Sequence, residues 1–527
     1  MADADPAFAR STHPIAAAPV DADVLIVGAG ISGIGMAVHL GQECPNERYI
    51  VLERRADLGG TWDLFRYPGI RSDSDMHTLG YSFEPWREEK AIADGPNILA
   101  YLNRVADERG VRPHIRFRHK VIAARWSSAE AGWSVDVEVE ADGAPPRCET
   151  ITARWLYMGS GYYDYDQGHD PQFPGREAFG GEVIHPQFWP ENYDYSGKRI
   201  VVIGSGATAV TLVPNLTRGG AAHVTMLQRT PTWYFVRPSE DRFANTLRRF
   251  LSPELAYRLT RFKNVRLQNY GFKFARSKPD KMGARLLQGV REGLGADKFD
   301  PADYTPPYGP WEQRLCLVPD NDLFAEIRSG RAEVVTDHIE RFDATGIQLK
   351  SGRHLDADVI VTATGLKLAV AGKVAFEVDG RPINWHDHFY YKGSMFSNIP
   401  NLTLVFGYLN ASWTLKADIV SLFTCRVLND MRARGADIAV PQLDEADAQA
   451  ADVVFDFSSG YVQRALDTLP QNGSDDPWRL NQDYLHDQWL LTKGPLNDGV
   501  LRFHRAGAGA VRHVPVRAPA GREPALA

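Results

Sequence analysis

Twice in this chain a short apolar run breaks into closely spaced glycines and then resumes at helical spacing. The first instance is DVLIVGAGISGIGMAVHL, Asp23 to Leu40. Its run Val24–Val27 is β-branched and apolar, the pattern of a buried parallel strand. After the glycines Ile34, Ala37, Val38 and Leu40 return at the period of a helix. With the strand-like YIVLE at Tyr49–Glu53 this predicts a β-α-β unit. The second instance is KRIVVIGSGATAVTLVPNL, Lys198 to Leu216, followed by HVTMLQR at His223–Arg229.

The small residues have separate physical tasks. The first permits a tight turn, the second lets backbone approach a pyrophosphate, and the third allows close helix–strand packing. The helix that follows turns unsatisfied N–H groups toward the phosphates. Gly28, Gly30 and Gly33 fill these places in the first loop, with Ser32 between them. In the second, Gly204, Gly206 and Ala209 fill them, with Ser205, Ala207 and Thr208 completing the loop.

The units differ where the next strand ends. Glu53 closes the first, a carboxylate suited to accept hydrogen bonds from a free ribose diol. Arg229 and Thr230 stand at the matching place in the second, where a guanidinium and a hydroxyl would bind a 2′-phosphate. One unit therefore suits NADPH and the other a dinucleotide with a free ribose, for which FAD is the economical choice. Val121, in the strand-like RHKVIAARW, is expected near the adenine.

The fold class expected is α/β, with two Rossmann-like dinucleotide-binding domains, the NADP domain inserted into the FAD domain, and a helical subdomain. The boundaries expected are FAD-binding residues 21–165 and 356–505, NADP-binding residues 166–237 and 311–355, and helical residues 238–310. Residues 1–20 and 506–527, rich in Ala, Pro, Gly and Arg, are expected to be disordered.

Between Asp241 and Glu292 thirteen Lys/Arg stand against four Asp/Glu, with Phe, Leu and Tyr interleaved. A solvated basic face, a peripheral membrane contact and the steering of anionic NADPH each suit that pattern. The whole chain of 527 residues carries a formal charge of −7, which argues against nucleic acid as a partner. The N-terminal stretch lacks the pattern of a secretory signal, and no run of about eighteen apolar residues predicts a membrane span. Cys44, Cys148, Cys316 and Cys425 are scattered, so neither a metal site nor a disulfide framework is expected, and a cytoplasmic setting fits.

After Glu53 comes GGTWDLFRYPGIRSD, Gly59 to Asp73. A redox-active cysteine pair would belong here in a flavin disulfide reductase, and this chain has aromatics instead, which leaves molecular oxygen as a plausible electron acceptor. FGGEVIHPQFWP, Phe179 to Pro190, fits an FxGxxxHxxxW signature through Phe179, Gly181, His185 and Trp189. WEQRLCLVP (Trp311–Pro319), SDSDMHTLG, NASWTLKAD and the late ATG at Ala363–Gly365 complete the set. On these motifs the chain resembles the class B flavoprotein monooxygenases of the Baeyer–Villiger type, and within them the ethionamide-activating branch.

The resemblance implies that NADPH reduces FAD, that O₂ is captured as a C4a-peroxyflavin, and that a ketone becomes an ester or lactone. Oxidation of sulfides or thioamides at sulfur is implied as well. It assigns the active-site cation to Arg314 and its partner carboxylate to Asp73. It extends FAD contacts to Gly60, Thr61, Trp62, Asp63, Leu64 and Asp73, and NADP contacts to Arg71, Ser72 and Asp73. His185 is expected to link the domains, Cys316 to be buried packing, and Asn410–Asp418 to open a helix at the pyrimidine end of the flavin. Trp189 separates this reading from the N- and S-oxidising flavin monooxygenases without ketone activity, which usually carry Tyr or Phe there. A flavin-bound NADPH sensor is the alternative outside catalysis.

Overall fold

The computed structural model describes residues 19–141, 143–443, 451–452 and 457–507. The expected disorder at the two ends concerns residues that lie almost wholly outside these ranges.

The first sheet begins with β1 (Ala22–Val27) and β2 (Tyr49–Leu52), continues through β3 (Ile115–Arg116) and β4 (His119–Ser127), and reaches β5 (Gly132–Ala141) and β6 (Ala144–Met158). β1 lies parallel between β2 and β6, and five of its six residues are buried. α1 (Ile31–Glu43) follows β1 directly and packs on a late helix of the chain. β4, β5 and β6 form an antiparallel meander. In β5 Trp133, Val135, Val137 and Val139 are buried while the residues between them are half exposed, the period-two pattern of a strand with one face on a core.

The chain then leaves for a second, wholly parallel sheet. Its strands are β7 (Glu182–Ile184), β8 (Arg199–Ile203) and β9 (His223–Gln228), with α2 (Ala207–Arg218) between the last two. β10 (Tyr234–Arg237) pairs separately with β11 (Cys316–Pro319). Between β10 and β11 stand α3 (Pro253–Ser277) and α4 (Pro279–Leu294). β12 (Ala332–Thr336) and β13 (Val359–Thr362) complete the sheet in the order β12-β9-β8-β13-β7. The return to the first sheet comes only with β14 (Ala375–Val378) and β15 (Arg381–Pro382) at its far edge and β16 (Leu402–Leu404) on β6. α5 (Trp413–Arg434) is the late helix that covers α1.

The boundary expected between residues 355 and 356 is thus displaced. All four residues of β13 are buried because the strand is interior to the second sheet, between β8 and β7. Continuous burial on both faces is the rule for parallel strands, and it gives no clue to which of two sheets a run belongs. The helical segment docks on the domain of the first sheet. Arg261 of α3 donates to the carbonyls of His77 (3.0 Å) and Gly80 (2.7 Å) and pairs with Asp418 of α5 at 3.2 Å.

Candidate active site

Both glycine loops end at the same place relative to their sheets. Gly28 has φ +102, and a Cβ there would sit 2.7 Å from the carbonyl oxygen of Gly159 after β6. Gly204 has φ +132, and its Cβ would meet the Ala363 carbonyl at 2.3 Å. Each loop therefore touches the backbone leaving the neighbouring strand, a closeness that a side chain would forbid. The two crossovers that start at Gly159 and Ala363 lie between the sheets, and together with the loops they line one cavity of about 1030 Å³.

The cavity gathers residues from across the chain. From the first unit it takes Gly28, Gly30, Ser32, Glu53, Gly60, Thr61, Trp62 and Val121. From the second it takes Gly204, Ser205, Gly206, Ala207, Thr208, Arg229 and Thr230, and from between them Arg71, Ser72, Asp73 and Arg314. Gly33 and Ala209 are expected nucleotide contacts that do not reach it. Gly33 packs on the Gly28 carbonyl, and Ala209 is fully buried in α2. Asp63 and Leu64 do not line the cavity either. The Asp63 carboxylate is turned onto Arg55 (2.6 Å) and Arg66 (2.9 Å), and Leu64 packs against the core of the second sheet.

Glu53 is buried and accepts from the amides of Ala29 (2.8 Å) and Arg55 (2.9 Å). Burial raises its pKa against the pull of those two amides. Trp413 opens α5 and donates its indole N–H to Ser32 Oγ at 2.8 Å, which ties the helix start to the first loop. Ala411 and Trp413 both line the cavity.

Arg314 donates Nε to the Leu409 carbonyl at 3.2 Å, and its Nη groups have no hydrogen-bond partner among the described residues. Burial works against its charge, but Tyr162, Tyr461, Tyr163 and Asp73 hold its pKa above the ordinary arginine value. Asp73 is open to the cavity yet enclosed by protein, and this enclosure raises its pKa against the pull of Arg314 and Arg71. The two charges share the cavity without closing an ion pair. Cys316 also lines it, with its thiol pushed up to about 12 by burial. It is a thiol at neutral pH and no nucleophile.

The tyrosines are the group that sequence reasoning missed. Tyr162 stacks on Trp413 at 4.8 Å, and its ring centroid is 4.0 Å from that of Tyr163. Burial raises the pKa of Tyr163 and Tyr461, so both keep their phenolic proton at neutral pH. The signal lay in GSGYYDYD, where a crossover at a strand end carries three tyrosines. Lys350 also lines the cavity near Arg229. Its amide donates to His338 (2.9 Å), and the amide of the adjacent Asp337 donates to Gln228 (3.0 Å).

The signature residues lie outside the cavity. Phe179 packs on Phe342, and Gly181 passes beneath the Phe179 ring. Trp189 packs edge-on against Tyr193 and Tyr195. His185 follows β7, accepts at Nδ1 from the Gln187 amide (3.2 Å), and holds Nε2 at 3.4 Å from the Gly365 carbonyl. Its ring covers Gly168, so it bridges the two crossovers between the sheets.

Two features fit this cavity to dinucleotides. Its loop edges at Gly28, Gly30, Gly204 and Gly206 carry no side chains to hold phosphates away. Arg71 pairs with Asp322 through one nitrogen, while its buried Nη2 has no partner among the described residues. A buried unpaired guanidinium donor calls for an anion.

Comparison with known proteins agrees. Residues 25–264 match the family model described as pyridine nucleotide-disulphide oxidoreductase. Of the four cysteines only Cys316 lines the cavity, and a dithiol centre needs two, so the match is to the nucleotide-binding frame. The FAD-containing monooxygenase EthA of Mycobacterium tuberculosis (strain ATCC 25618 / H37Rv) is 50% identical over 486 residues, 92% of this chain and 98% of that protein. The probable FAD-binding monooxygenase AlmA of an Acinetobacter species is 47% identical over 493 residues, 94% of this chain and 98% of that one. Among solved structures, an oxidised steroid monooxygenase bound to NADP superposes with TM-score 0.69 at 21% identity, covering 92% of this chain and 99% of that one. Closed cyclohexanone monooxygenase superposes with TM-score 0.65 at 20% identity, covering 81% and 87%. With half its residues shared across nearly the full length of EthA, the chain belongs to the FAD-containing monooxygenases.

Proposed function

We propose that this enzyme uses NADPH and O₂ to insert oxygen beside a ketone carbonyl, giving an ester or lactone, and that it also oxidises sulfides or thioamides at sulfur. The observation that carries the reading is Arg314: a permanent cation whose Nη donors have no partner among the described residues, in a cavity between two nucleotide loops and without a paired cysteine. The steroid and cyclohexanone monooxygenases that share the fold are named for ketone-bearing or steroid substrates, which supports the reading.

Gly28, Gly30, Ser32, Glu53, Gly60, Thr61, Trp62 and Val121 would hold FAD. Gly204, Ser205, Gly206, Ala207, Thr208, Arg229 and Thr230, with Arg71 and Ser72, would hold NADPH. FAD supplies hydride acceptance and oxygen activation. The residues of the chain do the rest. Arg314 stabilises negative charge as it develops on the substrate oxygen, which a fixed donor does best where water is excluded. Arginine suits the role because it keeps its charge on burial. Asp73 orients Arg314 and the nicotinamide by its field across the cavity. Tyr163 and Tyr461 offer protonated hydroxyls beside the cation. His185 holds the crossovers in register as the domains close, outside the chemistry. The unpaired cysteines suit a reducing cytoplasm. No helix among the described residues is long and apolar enough to cross a membrane.

The test is product identification by mass after separate incubation of the holoenzyme with cyclic, aliphatic and aryl ketones and with sulfides. Ester or lactone formation coupled to NADPH consumption is expected. Sulfoxide without any ester would reduce the reading to a heteroatom oxygenase, and NADPH oxidation yielding only hydrogen peroxide would remove the oxygen-transfer role.

A further inference from the structure

We propose that the outward face of α3, together with Phe250 just before it, docks on an anionic lipid surface. Leu255, Leu259, Phe262, Arg266, Tyr270 and Lys273 follow one another at intervals of three and four residues, which places them on one helix face. All six are exposed. Phe262 is 58% exposed, Tyr270 67%, and Phe250 80%. Single exposed apolar residues need no explanation, but an aligned stripe of them marks a contact surface.

The opposite face of the helix is fixed. Tyr257 donates its hydroxyl to the Tyr81 carbonyl at 2.9 Å, Arg261 pairs with Asp418 at 3.2 Å, and Asn264 donates to Asp75 at 3.0 Å. Rotating the apolar stripe inward would break all three. The exposure therefore belongs to the folded state and is not relieved by a small rearrangement.

Charge selects the occupant. The chain as a whole carries −7, yet residues 241 to 292 hold thirteen basic groups against four acidic ones. Arg249, Arg258, Arg266, Lys278, Lys281 and Arg285 are all exposed. Arg266 lies over the Phe262 ring at 3.4 Å, so cation and apolar ring reach the surface together. A twofold contact between copies of the chain would set this basic face against itself, like charge against like, which disfavours a second copy here. Basic groups interleaved with Phe and Leu on one helix face match the boundary between headgroups and acyl chains of an anionic bilayer. α3 also reaches the segment that carries Arg314, where Phe272 packs edge-on at 5.6 Å against Trp311. Docking does not depend on which oxidation the enzyme performs.

The test is co-sedimentation of the full-length FAD-loaded protein with vesicles of phosphatidylcholine alone or mixed with phosphatidylglycerol. Binding to the anionic vesicles is expected to exceed that to neutral ones by tenfold or more, and to fall with salt. Phe250→Ser combined with Phe262→Ser should lower partition roughly tenfold or more. Arg249→Gln, Arg258→Gln and Arg266→Gln together should lower it on the order of 100-fold. Flavin absorbance and melting temperature, unchanged in both variants, show that folding is intact; if either variant fails this check, the contrast between anionic and neutral vesicles still decides. Failure of the wild type to bind anionic vesicles, or equal binding by folded variants, overturns the proposal. So does a wild-type dimer in light scattering that the phenylalanine variant dissociates while neither binds vesicles.

Discussion

Among the described residues Arg314 makes a single hydrogen bond, from Nε to the carbonyl of Leu409 at 3.2 Å. That bond sets the plane of the guanidinium from the backbone of a different segment and leaves both Nη groups unspent. Truncation should therefore remove a donor without unravelling a network. Arg314→Ala is expected to lower the rate of ester formation by roughly 100- to 1000-fold, the loss of about 3–4 kcal/mol that one preorganised donor supplies. Reduction of bound flavin by NADPH, followed anaerobically by absorbance, should survive the change. Ester formation at the wild-type rate would refute the assignment.

Arg229 closes the second β-α-β unit where Glu53 closes the first, and it is exposed at the cavity. A charge-assisted hydrogen bond to a 2′-phosphate contributes about 1.5–3 kcal/mol. Arg229→Ala should raise the KM for NADPH roughly 10- to 100-fold and leave kcat/KM for NADH nearly unchanged. Steady-state kinetics with both coenzymes checks it. An equal loss with NADH would make Arg229 a structural residue.

Asp73 is expected to act as a carboxylate. Enclosure raises its pKa above the ordinary aspartate value, with Arg314 and Arg71 pulling the other way. The carboxylate population therefore falls as pH drops through a value above the usual aspartate range. The acid limb of kcat/KM should lie there, and Asp73→Asn should abolish the limb along with most of the activity. A limb unchanged in the variant would assign it to another group.

The glycine loops were legible because their geometry is local: strand, turn and helix start lie within a dozen residues, and only small side chains meet the steric demand. The contrast of Glu53 with Arg229 was legible for the same reason. The direction of the Asp63 carboxylate was not legible, because Arg55 and Arg66 claim it and a motif does not display that competition. Tyr461 was invisible because it reaches Arg314 from a segment far along the chain. β13 was placed in the wrong domain because a buried parallel strand carries no mark of its sheet. Local steric rules survive in one-dimensional form, whereas the partner of a buried charge and the neighbour of a strand are set by tertiary contact.

His185 gives a stability effect with a definite sign. Nδ1 accepts from the Gln187 amide, so the proton of the neutral ring sits on Nε2 and faces the Gly365 carbonyl. Burial lowers its pKa below 6.5, more than that carbonyl raises it. Between the lowered value and 6.5 the unfolded chain binds more protons than the folded one. Stability should thus rise with pH through this window and be lost as pH falls below it. His185→Gln should flatten that part of the profile of urea midpoint against pH. A profile identical to that of the wild type would show that the ring does not titrate between the two states.

Lys416 and Asp487 form an ion pair at 2.6 Å with both side chains almost wholly buried, and Tyr408 donates its hydroxyl to the same carboxylate oxygen at 2.7 Å. The pair clamps α5, whose first turn lines the cavity, to the helix Tyr484–Thr492. Removing one partner of a buried pair leaves the other charge without compensation, which costs about 3–5 kcal/mol. Lys416→Met should lower the free energy of unfolding by that amount in denaturant titration of the holoenzyme. Replacing both partners, Lys416→Met with Asp487→Leu, removes the stranded charge and should recover much of the loss, although Tyr408 then forfeits its acceptor. Flavin affinity separates the two consequences of the clamp. If the pair also sets the start of α5, the single variant should release FAD more readily at denaturant concentrations well below its unfolding midpoint, because Trp413 would no longer hold Ser32 of the first loop at 2.8 Å. A single variant as stable as the wild type would refute the clamp.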